Sequence, residues 1–570
     1  MAKRRLLALS VAVVFSFVLF AGCGTKEEDS AEEVSTEPSP ASTEEAAEPT
    51  EEPEATYDPA KIMKLSEEKA ELSIWIATPM SIENNTESVN ELTAIQKYEE
   101  LTNVHINWQQ ASVVGAKEQF GVMIAGGEYP DIILALENYY IGGTTGAYEQ
   151  GIIIALDDYL EEYMPNYSAK VKMDEAIKKE VVTDEGRYLA VYGFYDHEYY
   201  PLSGPMVRAD WLEELSLDVP VTYDDYYEVG LAFKTEYGCS DPILILGDGS
   251  FFAGGEYVSG YFAGGWGTPG FSSTASGPGA LGLYRVGNTV YSSLNQEGFK
   301  DYLMMLNKWY EAGVISRDFV TNPTNQMTPD FSSFIFNDKT GIFIGDSVNM
   351  VGYALNAVNP NFKLVGAPDP VVDESSGPSP FGIDRNRQQG SSACISTTCK
   401  NVELAMRWLD QWFSEEGVIL ANYGVEDLAH TLDSDGVRRY TDIVLNNEIL
   451  TQQAATVLYT VIFCPTVNTQ QNRFTMWEDQ PATLDAVYAW TNSTTGEGIL
   501  PGVTLNDEES GFYSDKAVTI QTYASENIAR FINGDKSFDE WPSFQEQLLE
   551  LWLLECIEVY QNALDRYERR

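Results

Sequence analysis

Three histidines, His105, His197 and His430, stand far apart in a chain of 570 residues, and that spacing disfavours a histidine-based metal site. Asp433-Ser434-Asp435-Gly436 opens like a calcium loop. The twelfth position counted from Asp433 is Val444, where an EF-hand needs a bidentate glutamate, so the stretch reads as a turn. The chain contains no GxSxG elbow, no Walker A loop and no HExxH pair. Its 87 acidic residues would always offer two carboxylates for glycoside hydrolysis, so a secreted carbohydrate-active hydrolase stays open as an alternative. What the chain has in surplus is aromatic surface: 33 Tyr, 25 Phe and 11 Trp. Most of it must be core, but a surplus suits sugar binding, because the C–H faces of a pyranose stack on aromatic rings. Trp266, within Gly264-Gly265-Trp266-Gly267, is the leading stacking candidate, since the glycines leave its faces open. Trp211 and Trp408 lie in amphipathic patterns and read as core.

The six cysteines are Cys23, Cys239, Cys394, Cys399, Cys464 and Cys556, with no CxxC spacing. They read mainly as small buried residues, and a Cys394–Cys399 link is the other possibility. The formal charge is −52, and removing Lys3, Arg4 and Arg5 leaves 32 − 87 = −55. That argues against nucleic acid, which needs clustered Lys and Arg. It also disfavours a polyanionic substrate, with a local basic pocket still open. Lys3 to Arg5 precede an apolar run from Leu6 to Phe20, shorter than the roughly 20 residues of a membrane-spanning helix and typical of a secretory signal. Leu19-Phe20-Ala21-Gly22-Cys23 resembles a bacterial lipobox, with Leu four rather than three residues before the cysteine. The resemblance implies a signal peptide over 1–22 and lipidation, such as palmitate, on Cys23; ordinary cleavage is the alternative. Residues 26–54 are Glu, Ser, Thr, Ala and Pro with almost nothing apolar. Such a stretch cannot offset its ordering entropy, so 23–56 reads as a flexible tether, or else an acidic interaction tail.

The remaining 500-odd residues exceed one hydrophobic core. Glu71–Ala77 reads as a strand; Leu92, Ile95, Tyr98 and Leu101 recur as in a helix; Val104–Trp108 alternates like a strand. Helix around Gln119–Ala125 stops at Gly126-Gly127, and Ile132–Leu134 follows a Pro-Asp turn as a third strand. Strand–helix alternation predicts a mostly parallel sheet covered by helices. The stretch from Tyr195 to Pro205 reads as a loop and Val207–Leu215 as a helix. Thr222 and Asp225 form a capping box, and Gly287-Asn288 turns a hairpin. Phe299–Tyr310 is an amphipathic helix, Thr340–Gly345 a buried strand, and 401–413, 511–532 and 541–567 are helices.

Taken in order, Gly126-Gly127-Glu128-Tyr129-Pro130-Asp131-Ile132-Ile133, Val207 to Leu217 with Val221 to Asp225, Phe336 to Phe343, Asn401 through Glu416-Gly417, Phe531 to Gly534 and Ala563 to Tyr567 resemble the carbohydrate-type extracellular solute-binding proteins of ABC transporters. The resemblance covers almost the whole mature chain and implies an α/β, two-lobed, type II periplasmic-binding-protein-like fold that closes about a hinge. It implies one lobe from 71–196 plus 331–389, another from 198–330 plus 390–570, and crossings near 199–205, 327–334 and 388–394. It further implies a monomer on the extracellular face of a bacterial, Gram-positive-type membrane, held by its N-terminal lipid, without cofactor or metal, handing a sugar or oligosaccharide to permease subunits.

Ligands of open α/β sheets sit beyond the carboxyl ends of strands. That selects Thr78 after the first strand, Glu137 and Asn138 after the third, and Asp346 and Ser347 after the returning one. Tyr195 and Tyr199 near the first crossing join Trp266 as stacking candidates, and Arg473 and Trp477 follow in a polar stretch beyond Pro465. Glu137 and Asp346 could instead cap neighbouring helices. A peptide ligand, and a ligand-sensing lipoprotein without transport, stay open beside the sugar.

Overall fold

The computed structural model describes residues 57–570 except 198–199, 252–261, 325–327, 383–385 and 470. The expected signal peptide, Cys23 and tether lie outside the described residues, as do Tyr199 and Met327. In chain order the strands are β1 (Ala70–Thr78), β2 (Val104–Ser112), β3 (Ile132–Leu134), β4 (Val191–Tyr195), β5 (Ser203–Arg208), β6 (Asp241–Ile243), β7 (Leu283–Val286), β8 (Thr289–Ser292), β9 (Thr340–Asp346), β10 (Leu364–Gly366), β11 (Gln388–Ile395), β12 (His430–Leu432), β13 (Arg438–Tyr440) and β14 (Val467–Asn468).

Two sheets dominate. The first has the order β14-β4-β11-β3-β1-β2, parallel except for β11. Helix Thr93–Thr102 joins β1 to β2 and buries Ala94, Ile95 and Tyr98. Asn103 ends it with φ 59°, a left-handed conformation that asparagine tolerates. Tyr98 stacks on Trp412 at 3.7 Å between centroids, and its hydroxyl donates to the Trp408 carbonyl at 2.5 Å. The second sheet has the order β10-β5-β9-β6. One face packs on a core that includes Phe233, Phe299, Trp309, Phe531 and Trp541. The other face packs on Phe331, Ile335, Tyr423, Tyr440 and Trp490. Gly204 is needed here: a Cβ would lie 2.5 Å from the Trp490 ring. The capping box of Thr222 and Asp225 forms, with Thr222 N–H donating to Asp225 at 2.8 Å. The hairpin β7–β8 turns at Gly287, φ 59°.

Several expectations are corrected. β9 and β10 pair with β5 and β6, so 331–389 contributes its strands to the second sheet rather than the first. β11 runs between β3 and β4, and helix Val402–Asp410 buries Leu404, Trp408 and Leu409 in the first core, so 390–421 returns to the first sheet, while the helices from Pro481 on pack with the second. Residues near 327–334 are not a crossing: Thr328 caps helix Pro329–Phe336, which leads into β9 of the same sheet. The stretch read as a loop to Pro205 and a helix from Val207 is strand β5 up to Arg208. Pro205 fits because β10 ends opposite Met206, so the missing N–H is not needed on that side. The C-terminal helix is two, Trp541–Glu550 and Leu553–Tyr567, broken at Trp552 with φ 75°. Cys394 and Cys399 are unpaired, as are Cys239, Cys464 and Cys556. Asp433 sits in the β12–β13 turn, where it accepts from Asp435 and Val437 N–H at 2.9 Å and from Arg439 at 2.7 Å.

Candidate functional site

Strand direction decides where a solute could sit. β1, β2, β3, β4 and β14 all end at one edge of the first sheet, where β11 begins. β6, β9 and β10 end at one edge of the second, where β5 begins. The chain passes between the sheets from Tyr195 to Ser203, from Gly366 to Gln388, and from Asn468 to helix Pro481–Asn492, which packs on β5 and β10. The first two passages join these two carboxyl-terminal edges, and the third leaves the first of them for a helix on the second sheet. The seam between them therefore collects the loops that α/β sheets use for ligands.

The first passage is clamped at its root. Tyr195 N–H donates to the Arg387 carbonyl at 2.7 Å, and the Arg387 guanidinium donates to the Tyr195 carbonyl at 3.0 and 2.9 Å and to Asp174 at 2.9 Å. On the other side Ser347 N–H donates to the Leu202 carbonyl at 2.8 Å. An aromatic line runs along the passage: Tyr195 to His197 at 5.8 Å, His197 to Tyr200 at 6.3 Å, Tyr200 to Phe474 at 5.6 Å and Phe474 to Trp477 at 6.4 Å. Tyr488, half-exposed, stacks on Phe474 at 6.2 Å.

Beside this line lies a cavity of about 170 Å³ walled by Val348, Asn422, Thr460, Asn468, Met476 and Trp477, among others. An apolar hole of about 150 Å³ already takes a benzene ring, so the volume admits one six-membered ring. Helix Gln452–Tyr459 and helix Glu415–Tyr423 form its walls toward the first sheet, while Val348 follows β9 of the second. Asn422 is fixed by donating to Val467 O at 2.8 Å and accepting from Thr469 N–H at 3.0 Å. Burial raises the phenol of the adjacent Tyr423 above its ordinary pKa; the charge of Arg438 opposes that rise, and Asp196 adds to it.

The structure brings some sequence candidates together and leaves others apart. Trp477 and the turn after Asp346 and Ser347 meet at the cavity, and Tyr195 reaches Trp477 through the aromatic line. Thr78 ends β1 at the seam edge, buried, and its hydroxyl finds no partner among the described residues; the same holds for Ser347 Oγ and Trp477 Nε1. Glu137 accepts from Ser392 Oγ at 2.7 Å, tying the loop after β3 to β11, and Asn138 beside it is exposed. Asp346 accepts from Val348 N–H at 2.8 Å, so it caps the turn that follows. Trp266 lies apart, half-buried against the second core with its ring 5.8 Å from Tyr223 and its indole N–H without a partner among the described residues. Arg473 belongs to helix Gln471–Trp477, and its side chain is outside the described residues. Sequence reasoning passed over Asn422, Asn468 and Tyr200. Tyr200 sits in the crossing stretch and could have been found there; the two asparagines carried no local signal.

The family profile described as bacterial extracellular solute-binding protein matches residues 93–424, a span that runs through β2 to β11 and the seam. Among curated proteins, the chain is 24% identical over 351 residues to the polygalacturonan/rhamnogalacturonan-binding protein YtcQ of Bacillus subtilis, covering 60% of this chain and 64% of that relative. It is 22% identical over 553 residues to the fructooligosaccharide ABC transporter substrate-binding protein FusA of Streptococcus pneumoniae, covering 88% of this chain and 91% of that one. Among solved structures, an HMO-binding, ABC-transporter-associated solute-binding protein of Bifidobacterium longum infantis superposes with a TM-score of 0.71 at 18% identity, over 88% of this chain and 99% of its own. The alginate-binding protein AlgQ2 superposes with a TM-score of 0.64 at 19% identity, over 88% and 99%. Two sheets whose carboxyl edges face one seam, crossed three times by the chain, are the type II binding-protein architecture, and with more than half its length under the family profile this chain belongs to the bacterial extracellular solute-binding proteins.

Proposed function

We propose that this chain is the substrate-binding lipoprotein of an ABC importer, anchored through Cys23, that takes an oligosaccharide into the seam and passes it unchanged to permease subunits. The observation that carries the reading is the seam itself: aromatic rings in line, an adjoining ring-sized cavity, and unpaired donors at Thr78, Ser347 and Trp477 along the edges of two sheets. The relatives named for pectic and fructose oligosaccharides support a sugar as the solute. One body is built on the first sheet and comprises roughly 70–195 with 388–421, and the other is built on the second and comprises 203–366 with 481–567; Tyr423, Ala429, Tyr440 and Val444 pack into the second sheet's core. A ligand that contacts both in the closed arrangement alone has the differential affinity that shifts the population toward closure.

A thermal-shift screen across mono- and oligosaccharides tests the reading. A sugar at a hundred times its Kd adds about 2.7 kcal/mol to the folded state, which is a rise of several degrees in Tm. Recovery of intact sugar at one per chain supports a binder, whereas catalytic turnover would overturn it in favour of a hydrolase. Trp266→Ala and Trp477→Ala separate the two stacking candidates: the ring that touches sugar is the one whose loss weakens the shift. Cys23→Ala should release the chain into the medium; continued membrane attachment would remove the lipid anchor from the proposal.

A further inference from the structure

Arginines are scarce in this chain, and the buried or half-buried ones are nearly all engaged. Arg208, Arg387, Arg439, Arg566 and Arg570 each reach a carboxylate. With 87 acidic residues against 35 basic ones, a partner is never far away. Arg438 is different. It sits half-buried on β13, its Nε is shut off from solvent, and it makes no hydrogen bond or ion pair among the described residues. A guanidinium is five donors in a fixed fork that matches a carboxylate, and leaving its buried Nε–H unpaired costs free energy unless something else supplies the acceptor.

Its position says what that is. Arg438 shares a face of β13 with Tyr440, two residues on. Tyr440 donates to the Asn422 carbonyl at 2.5 Å, and Asn422 walls the seam cavity. Tyr423, the next residue, lies 5.6 Å from Tyr440 and also 5.6 Å from His430, ring to ring. β13 packs against helix Gln471–Trp477, which supplies Met476 and Trp477 to the same cavity. Three other buried unpaired groups at the seam, Trp477 Nε1, Ser347 Oγ and Thr78 Oγ1, can donate. Resting on the proposal that the solute occupies the seam, we infer that Arg438 receives a carboxylate of the bound sugar, so that the solute is an acidic oligosaccharide built from uronic or similar acids. The net charge of −52 disfavours an acidic solute at long range, and a local basic group has to offset it. Exposed charges more than about 8–10 Å away are screened at physiological salt, and the guanidinium beside the ligand decides.

The test uses the mature chain and calorimetric titration with three probes: a galacturonate trimer, its methyl ester and the matching galactose trimer. The wild type should bind the acid at least about tenfold tighter than the ester, the size of a charge-assisted, two-pronged contact. R438M should bring the acid-to-ester ratio to about one. R438K, which keeps the charge without the fork, should fall between, and the exposed Arg530, as R530M, should leave the ratio alone. The ester comparison needs no variant, so a poorly folding R438M does not blunt the test. Equal binding of acid and ester by the wild type would overturn the role of Arg438 and leave sugar binding standing. Binding of none of the three would overturn the sugar reading, and this inference with it.

Discussion

Arg208 and Arg438 are set by the same type of strand in two regions of the molecule, and only one of them is finished. Arg208, at the end of β5, is fully buried. Its guanidinium lies 4.0 Å from the Trp211 ring and 4.4 Å from that of Phe362, and it donates to Asp210 at 2.9 and 2.7 Å and to Asp338 at 2.5 Å. Arg438, on β13 beside the residues that wall the cavity, has no acceptor for its buried Nε–H among the described residues. The first arrangement holds the fold together; the second leaves a strong donor waiting. A buried unpaired donor is tolerated where binding, rather than folding, supplies its partner.

The contrast can be broken at either end. Arg208→Met strands two carboxylates and opens a hole between two rings, and it should cost about 3–5 kcal/mol of stability, read as a lower urea midpoint. If that variant unfolds like the wild type, the buried network is not what holds β5 in place. The same contrast recurs in the carboxylates. Asp369 is buried with neither oxygen partnered among the described residues, and burial pushes its pKa well above the usual range. Asp369→Asn removes the ionisation and should gain about 1–3 kcal/mol on the wild type at neutral pH. The gain should grow as pH rises from about 4, and a loss that is flat with pH would contradict it.

Asp410 is the partnered counterpart, accepting from Tyr167 N–H at 2.9 Å and from Asn166 Nδ2 at 2.8 Å. Burial still lifts it to about 7, against the lowering effect of those bonds. A carboxyl raised in the folded state binds its proton there more tightly than in the unfolded chain. Its stabilisation is therefore present below about 4 and lost as pH climbs to about 7. The stability of the wild type relative to Asp410→Asn should fall across that window and level off above it; a rise would reverse the sign. The smallest effect on folding belongs to Arg438→Met, which removes one buried unpaired donor and should leave stability unchanged or raise it by about 1 kcal/mol or less. A large loss there would make Arg438 a structural residue like Arg208.

Local elements were legible and their partners were not. Helix Thr93–Thr102, the capping box at Thr222, the hairpin at Gly287 and strand β9 all follow from spacing, caps and turn residues within a dozen positions. Which sheet β9 and β11 join depends on pairing across more than a hundred residues, and a period-two pattern is silent on that. β5 was hidden by Gly204 and Pro205, residues that signal loops yet here make room for Trp490 and mark the end of β10. Of the site, Trp477, Tyr195 and the turn after Asp346 could be picked from strand ends and aromatic type. Arg438 could not, because its distinguishing property is a missing neighbour, and only three dimensions show that.

The central claim is that two bodies grip a solute at the seam. Spin labels at the exposed positions Val122 and Val286, one on each body, allow the distance between the bodies to be measured by double electron–electron resonance. Saturating galacturonate trimer should shift the distribution to a single shorter distance. A distribution unchanged by a sugar that calorimetry shows to be bound would contradict closure about the seam.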